Sequence, residues 1–379
     1  MKVCHVTSVH PRHDIRICEK ECVSLAKRGY DTYLVVNDGN ANEEYKGIHI
    51  LSTGIMDTGR VGRIINAPKR VLELALSVDA DVYQLHDPEL LLISDKLMNA
   101  GKKVVFDAHE DTEKQIENKY WIPTFIRLLV GKLYGWYSIG KFRRMTALIS
   151  VTPSIVNKLK KYNSNVTLIT NYPIINANVN DSDEPSGINQ RDKLREPTKE
   201  RYVFFAGGIL EQWCHDNIIE AVKKVDGIMY QYAGRGRKEY LARLQGIKAN
   251  YLGLLSHEDV METYKDAVAG MVLLKSDTQV GKDGTLGNTK IFEVMEAGRP
   301  VICSDLKLWR EIIEKYNCGI CVNPEDIASI SDAIRYLAEH PDEGDSMGRN
   351  GKKAVEEEFN WATQEKELYA FYEKIAGLP

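Results

Sequence analysis

Val268-Ala269-Gly270-Met271-Val272-Leu273-Leu274 is followed, beyond a loop, by Gly284-Thr285-Leu286-Gly287-Asn288-Thr289-Lys290-Ile291-Phe292-Glu293-Val294-Met295-Glu296-Ala297-Gly298-Arg299-Pro300, and then by Val301-Ile302-Cys303-Ser304. The outer runs are short, apolar and flanked by loop residues, the pattern of strands buried on both faces. Between them, residues 289–297 read as a helix stopped by Gly298 and Pro300. Strand, loop, helix and strand in that order predict two parallel strands joined by a helical crossover.

The same alternation extends in both directions. Upstream come residues 202–206, a helix near 216–224, residues 229–233, a helix to about 245, residues 249–252, and Ser256-His257-Glu258-Asp259, whose spacing is that of an N-cap opening a helix over 260–265. In the first 175 residues, strand-like runs at 3–7, 32–36, 82–85, 103–107 and 147–151 alternate with helical stretches at 15–28, 89–99 and 153–162 and with a long segment ending at Met145. Residues 176–200 turn to Asn, Asp, Ser, Pro, Gly and charged side chains with no apolar period, the texture of a linker. The expected architecture is α/β: two facing, Rossmann-like, doubly wound domains, 1–175 and 201–360, joined by 176–200, with a terminal helix in 361–379 crossing back to the first. In open α/β sheets the ligand sits beyond the carboxyl ends of the strands, so the residues following each strand are the candidates for chemistry.

Composition narrows the class. The 379 residues suffice for two cores, and 43% hydrophobic with 27% charged residues is ordinary for a globular protein, which excludes collagenous and largely disordered classes. The net charge of −4 is unevenly spread: residues 1–175 carry 24 Lys+Arg against 19 Asp+Glu, leaving 26 against 35 for the rest. No nucleic-acid partner is expected. Seven cysteines without a paired framework read as reduced thiols, and Cys318-x-x-Cys321 has no second pair to complete a zinc site. The amino terminus enters a strand pattern directly, and no run approaches ~18 apolar residues. A cytoplasmic location, peripheral on the inner face of the membrane, is the expectation.

The loop at 284–289 is small, polar and glycine-containing, and it leads into a helix with Lys290 in its first turn. Backbone N–H groups at such a helix start can bind phosphate, and Lys290 adds a cation. Glu293, near the same end, can accept two hydrogen bonds from a ribose diol. Phosphate and ribose together indicate a nucleotide; the competing reading is a helix capped by Asn288 with solvated charges.

Asn288-Thr289-Lys290-Ile291-Phe292-Glu293-Val294-Met295-Glu296-Ala297-Gly298-Arg299-Pro300-Val301 resembles, with one insertion, the signature of the retaining nucleotide-sugar glycosyltransferases of the GT-B fold (group 1, family four). Residues 203–209 with Gly207-Gly208, 231–236 with Tyr-Ala-Gly-Arg-Gly, and Asn360-Trp361 extend the likeness over nearly the whole chain. The resemblance implies a donor site at Gly207, Gly208, Arg235, Gly287, Asn288, Thr289, Lys290 and Glu293, with Glu293 as the second glutamate of the family's E-x7-E motif. The first glutamate is replaced by Thr285, and Glu211-Gln212-Trp213-Cys214-His215 stands where the family's diphosphate-clamping Arg and Lys usually lie. Neutralisation of the diphosphate then falls to backbone amides, Lys290, and Arg235 or Arg16.

The first domain supplies the opposite wall. Asp14 and Arg16 resemble a D-x-R version of the family's first loop. Strand ends at Gln84-Leu85-His86-Asp87 and Phe106-Asp107-Ala108-His109-Glu110 place His86, Asp87, His109 and Glu110 beside the expected cleft. By resemblance His109 contacts the donor sugar and is, with Glu293, the catalytic candidate. The implied reaction moves a hexose or N-acetylhexosamine from a UDP- or GDP-linked donor to a glycan or lipid-linked acceptor in cell-surface polysaccharide synthesis, with retention and without metal or cofactor. Fixed dipoles would stabilise the departing diphosphate, which itself would serve as base. Two rival readings are a nonhydrolysing nucleotide-sugar epimerase and a catalytically silent nucleotide-sugar-binding protein. Finally, from Asn118 to Asn180 nine Lys and Arg occur without one Asp or Glu. Aromatic residues interleave with these cations through 119–144, which suits an anionic membrane surface.

Overall fold

The computed structural model describes residues 1–55, 65–117, 124–175, 201–275 and 283–377. The expected linker 176–200 and, in the basic stretch, Lys119, Tyr120 and Trp121 lie outside the described residues. The chain divides into one unit made of Met1–Asn171 with Trp361–Pro379 and a second made of Tyr172–Asn360.

The first unit is built on an eight-stranded sheet: β1 (Lys2–Val6), β2 (Asp31–Val36), β3 (Glu43–Tyr45), β4 (Ile48–Ser52), β5 (Val82–Leu85), β6 (Lys103–Ala108), β7 (Ala147–Ser150) and β8 (Val166–Leu168), in the order β3-β4-β2-β1-β5-β6-β7-β8. All pairs are parallel except β3 with β4. The central strands are buried along almost their whole length, which is why they read as unbroken apolar runs rather than alternating ones. From β1 the chain winds first toward β2 and only later crosses to β5, so the carboxyl ends of β1 and β5 form a topological switch point.

The second unit is a six-stranded, all-parallel sheet: β9 (Arg201–Ala206), β10 (Ile228–Ala233), β11 (Ala249–Tyr251), β12 (Ala269–Val272), β13 (Val301–Ser304) and β14 (Gly319–Val322), in the order β11-β10-β9-β12-β13-β14. Its switch point lies between β9 and β12. Both units are the doubly wound sheets that the sequence predicts.

Three local outcomes differ from the sequence pattern. The helix expected over 15–28 opens with a wider turn, Ile15–Cys22, in which the Glu19 amide reaches back to the Asp14 carbonyl (3.1 Å), before continuing as Val23–Lys27. The widening carries Arg16, Lys20 and Glu21 to the buried side with Ile17, Cys18 and Cys22. The helix read from Glu89 starts as a tighter turn, Pro88–Leu90, because Pro88 fixes its own backbone, and becomes regular over Leu91–Asn99. Among the described residues, the long segment before Met145 holds two helices, Thr112–Glu117 and Thr124–Phe142.

The last helix, Trp361–Ala376, covers one face of the first sheet. Trp361, Leu368, Phe371, Tyr372 and Ile375 are buried against Val3, Val82, Val105, Ala147 and Ile149. Burial of each large side chain contributes about 1.5–3 kcal/mol. Trp361 Nε1 donates to Ser24 Oγ (2.9 Å), and Lys103 Nζ caps the helix end through the carbonyls of Ile375 (3.1 Å) and Ala376 (2.9 Å).

Candidate functional site

At the switch point of the first unit, Thr7, Ser8 and His10 follow β1, His86 and Asp87 follow β5, and His109 and Glu110 follow β6. Asp87 is buried and accepts from the Ser8 amide (2.6 Å) and the Thr7 hydroxyl (2.8 Å), with His10 Nδ1 2.9 Å from its other oxygen. Burial alone would raise its pKa, but His10 and these donors outweigh that and bring it down to about 2. His10 is raised in turn: the hydrogen bond and charge of Asp87 overcome its own desolvation.

Arg16 stands at the centre of a second group. Its Nε and Nη2 hold Asp107 at 2.9 and 3.0 Å, Nη2 lies 3.0 Å from Glu21 Oε1, and Nη1 donates to the Ile169 carbonyl at 3.1 Å. One guanidinium is therefore shared by two buried carboxylates. Burial pushes Glu21 well above the usual carboxylate range, whereas for Asp107 the paired contact with Arg16, then His109, outweighs burial and keeps it ionised. With 4% of its surface exposed and each of its three nitrogens engaged, Arg16 is not available to a phosphate, which corrects that expectation. Asp14, assigned to a cleft wall from sequence, uses Oδ1 to accept from the amides of Arg16 and Ile17 (both 2.9 Å) and so caps the first helix. Glu110 is exposed and accepts from Gln115.

His109, partly exposed, places Nε2 3.1 Å from Asp107 Oδ2 and 3.3 Å from His86 Nδ1, with His86 Nδ1 3.5 Å from the same oxygen. Three such atoms could approach one cation. Arg16 already occupies both oxygens of Asp107, however, and its charge opposes a second cation, so the set fits a self-satisfied ion cluster better than a metal site. Burial lowers His86 to about 4, against the pull of Asp107.

In the second unit Gly207 and Gly208 follow β9, and Gly207 holds φ +143. A Cβ there would stand 2.1 Å from Lys290 Nζ, so glycine at this position is what admits the lysine. The ammonium packs over Phe205 (5.4 Å) and Trp213 (5.5 Å), makes no ion pair among the described residues, and has its pKa lowered by burial, partly offset by Glu293. Around it the loop is internally braced. Asn288 Oδ1 accepts from the Lys290 amide (3.1 Å), Thr285 Oγ1 from the Gly287 amide (3.0 Å), and the Thr289 hydroxyl donates to Glu293 Oε1 (2.6 Å). The helix itself, Lys290–Glu296, has only seven residues. Its dipole is correspondingly short, and the Lys290 charge is the larger attraction for an anion. Arg235 is exposed on the loop after β10, where its carbonyl accepts from the Ile209 amide (2.8 Å). A separate pocket of about 400 Å³ is lined by Glu211, Asp216 and Glu325 against Arg243 and Lys275, an excess of acid that suits a diphosphate poorly.

Several participants escaped the sequence reading: Thr7, Ser8, His10, Gln84, Glu21, His5 and Tyr372. Their partners are distant in sequence. One signal was present, since Arg16, Lys20 and Glu21 interrupt a helical pattern where apolar residues belong.

Residues 187–354 match the family model described as Glycosyl transferases group 1. A phosphatidyl-myo-inositol mannosyltransferase of Mycobacterium leprae (strain TN) is 25% identical over 153 residues, 40% of this chain and 39% of that relative's length. Among solved structures, a sucrose-phosphate synthase from Thermosynechococcus elongatus superposes with TM-score 0.75 at 14% identity, over 100% of both chains. Anabaena HepE in complex with UDP and glucose does so with TM-score 0.71 at 12% identity, over 99% of this chain and 100% of that one. The lipopolysaccharide glycosyltransferase WaaG follows with TM-score 0.68 at 13% identity, over 97% and 99%. The chain thus has the GT-B fold, and within its second unit residues 187–354 are similar to the group 1 glycosyl transferases.

Proposed function

We propose that the chain transfers a hexose or N-acetylhexosamine from a UDP- or GDP-linked donor to a glycan or lipid-linked acceptor, with retained configuration and without a metal. The observation that carries this reading is Lys290: a cation withdrawn from water onto two ring faces, without an ion-pair partner among the described residues, at the carboxyl end of β9. Such a group costs stability until an anion arrives, and a diphosphate supplies one. Glu293, held by Thr289, would grip the ribose. In the reaction the bond from the anomeric carbon to the diphosphate breaks, the acceptor oxygen bonds to the same face, and the diphosphate takes the acceptor's proton. His109 would accept a hydrogen bond from the sugar or acceptor. Support from relatives is of the same kind: HepE is seen with UDP and glucose, and the mycobacterial relative is named a mannosyltransferase.

The acceptor would be met at an anionic membrane surface through the helix Thr124–Phe142. This helix leaves Phe125 (85% exposed), Leu128, Leu129, Leu133 and Trp136 (78% exposed) uncovered, beside exposed Lys132 and Arg143. Lys141 and Arg144 pair with Asp95, so the attraction is moderate and the apolar face does most of the binding. No helix among the described residues is long and apolar enough to cross a membrane.

Thermal-shift titration with UDP-, GDP-, ADP- and dTDP-sugars tests the donor, because binding stabilises by mass action. Release of free nucleoside diphosphate only when acceptor is added separates transfer from epimerisation and from silent binding. No shift with any nucleotide sugar refutes the proposal.

A further inference from the structure

His5, Gln84 and Tyr372 are buried beneath the strand-end histidines, and the chemistry proposed above makes no use of them. They are nevertheless joined in one unbroken series of contacts. A neutral imidazole has one donor nitrogen and one acceptor nitrogen, so touching imidazoles must be ordered in a single direction. The starting point is Asp107, which is held by two guanidinium N–H groups and can only accept.

His109 Nε2, 3.1 Å from Asp107 Oδ2, must therefore carry a hydrogen. His86 Nδ1 lies 3.3 Å from that same nitrogen and 3.5 Å from Asp107 Oδ2; taking the shorter contact as its hydrogen bond makes it the acceptor from His109 and puts the His86 hydrogen on Nε2. That nitrogen lies 2.9 Å from His5 Nδ1, so His5 accepts there and is protonated at Nε2, 3.2 Å from the Tyr372 oxygen. Tyr372 donates to Gln84 Oε1 (2.6 Å), and Gln84 Nε2 donates to Glu21 Oε2 (2.6 Å). Each donor meets an acceptor in this order. Reversing one link alone sets two hydrogens or two lone pairs against each other in the core, at about 1–3 kcal/mol.

We infer that His86, His5 and Tyr372 are positioning residues that lock His109 in the tautomer with hydrogen on Nε2, leaving Nδ1 as the free lone pair of that ring. The groups facing His109 are Asp107 on its own strand, His86 after β5, His10 with its partner Asp87 after β1 and β5, and Arg16 acting through Asp107. His5 and His86 are both kept neutral near pH 7 by burial, so the order is not scrambled by added protons. The series ties the last helix, through a single phenol, to the electronic state of a side chain at the first unit's switch point. This deepens the role proposed for His109 and rests on that reading only for its consequence in transfer. The tautomer itself is read without any sugar, so either idea can fail alone.

The test is the full chain labelled with 15N in its nine histidines, examined by long-range proton–nitrogen correlation at a pH where the ring of His109 is neutral. The wild-type protein is expected to show hydrogen on Nε2 of His109; hydrogen on Nδ1 overturns the inference without any variant. Tyr372→Phe removes one oxygen and is expected to lower the ratio of the two His109 tautomers about three- to tenfold, the worth of one hydrogen bond. His5→Leu is expected to do the same. His5→Gln, whose amide can accept from His86 and donate to Tyr372, is expected to restore the wild-type ratio. An unchanged ratio in Tyr372→Phe and His5→Leu, with intact backbone spectra, overturns the inference, as does an equal loss in His5→Gln and His5→Leu.

Discussion

Lys290→Met separates the two roles that the structure gives this side chain. The ammonium is largely desolvated against the faces of Phe205 and Trp213, and those rings return only about 0.5–2 kcal/mol of cation–π attraction. Desolvation depresses its pKa, so between the folded value and the ordinary lysine value the unfolded chain binds more protons than the folded one. Stability therefore carries the full penalty below the folded value and recovers as the pH rises through that window. Methionine has nearly the same shape and no charge, so the variant is expected to unfold at a higher temperature, by about 2–4 °C for each kcal/mol recovered in a unit of this size. Loss of one charge-assisted hydrogen bond to a diphosphate is worth about 1.5–3 kcal/mol, so the Kd for UDP or GDP should rise about 10- to 150-fold. Scanning fluorimetry of the second unit's transition, with calorimetric titration of the nucleotide, reads both. A variant that is less stable than wild type, or that binds nucleoside diphosphate as well, refutes the argument.

Gly207→Ala places a methyl on the Lys290 ammonium and forces a strained backbone, so a loss of about 1–3 kcal/mol with near-complete loss of nucleotide binding is expected; normal binding in calorimetry would contradict the assignment. Acid should weaken the first unit through His86, whose folded pKa of about 4 lies below the unfolded value of 6.5. The unfolded chain takes up the proton first, and roughly 3 kcal/mol of stability should go as pH falls from 6.5 through 4, a drop that denaturant titrations at pH 7 and 4.5 would reveal or deny. Phe125→Ser with Trp136→Ser should shift stability by less than about 0.5 kcal/mol per site, since neither ring is packed, yet abolish most flotation with anionic liposomes. Undiminished flotation, or flotation absent in the wild type, removes the membrane contact.

The layout of both sheets could be read from the chain because parallel strands buried on two faces must be apolar throughout, as at Val82–Leu85 and Val301–Ser304. The loop and helix around Lys290 were legible for a similar reason: Gly207, Gly298 and Pro300 punctuate the backbone locally. The ion cluster of the first unit was not. Arg16 meets Asp107 across 91 residues and Tyr372 meets Gln84 across 288, distances at which no spacing rule operates. Arg16 consequently looked like a free surface charge near a ligand, whereas a charged side chain on the buried side of a helix has to find its counter-ion inside. The loop histidine His10 was passed over because nothing near it in sequence foretells Asp87.

The docking of Trp361–Ala376 on the first sheet bears on how the molecule is made. The strands that this helix covers are complete by Ser150, but the intervening 189 residues of the second unit (360 − 171) must be translated before their partner exists. At about 5–20 residues per second that is a delay on the order of 10–40 s. During that time Val3, Val82, Val105, Ala147 and Ile149 present an uncovered apolar surface to the cell, so the newborn amino-terminal half should be a client for chaperones, whereas the carboxyl-terminal half can close its own core as it emerges.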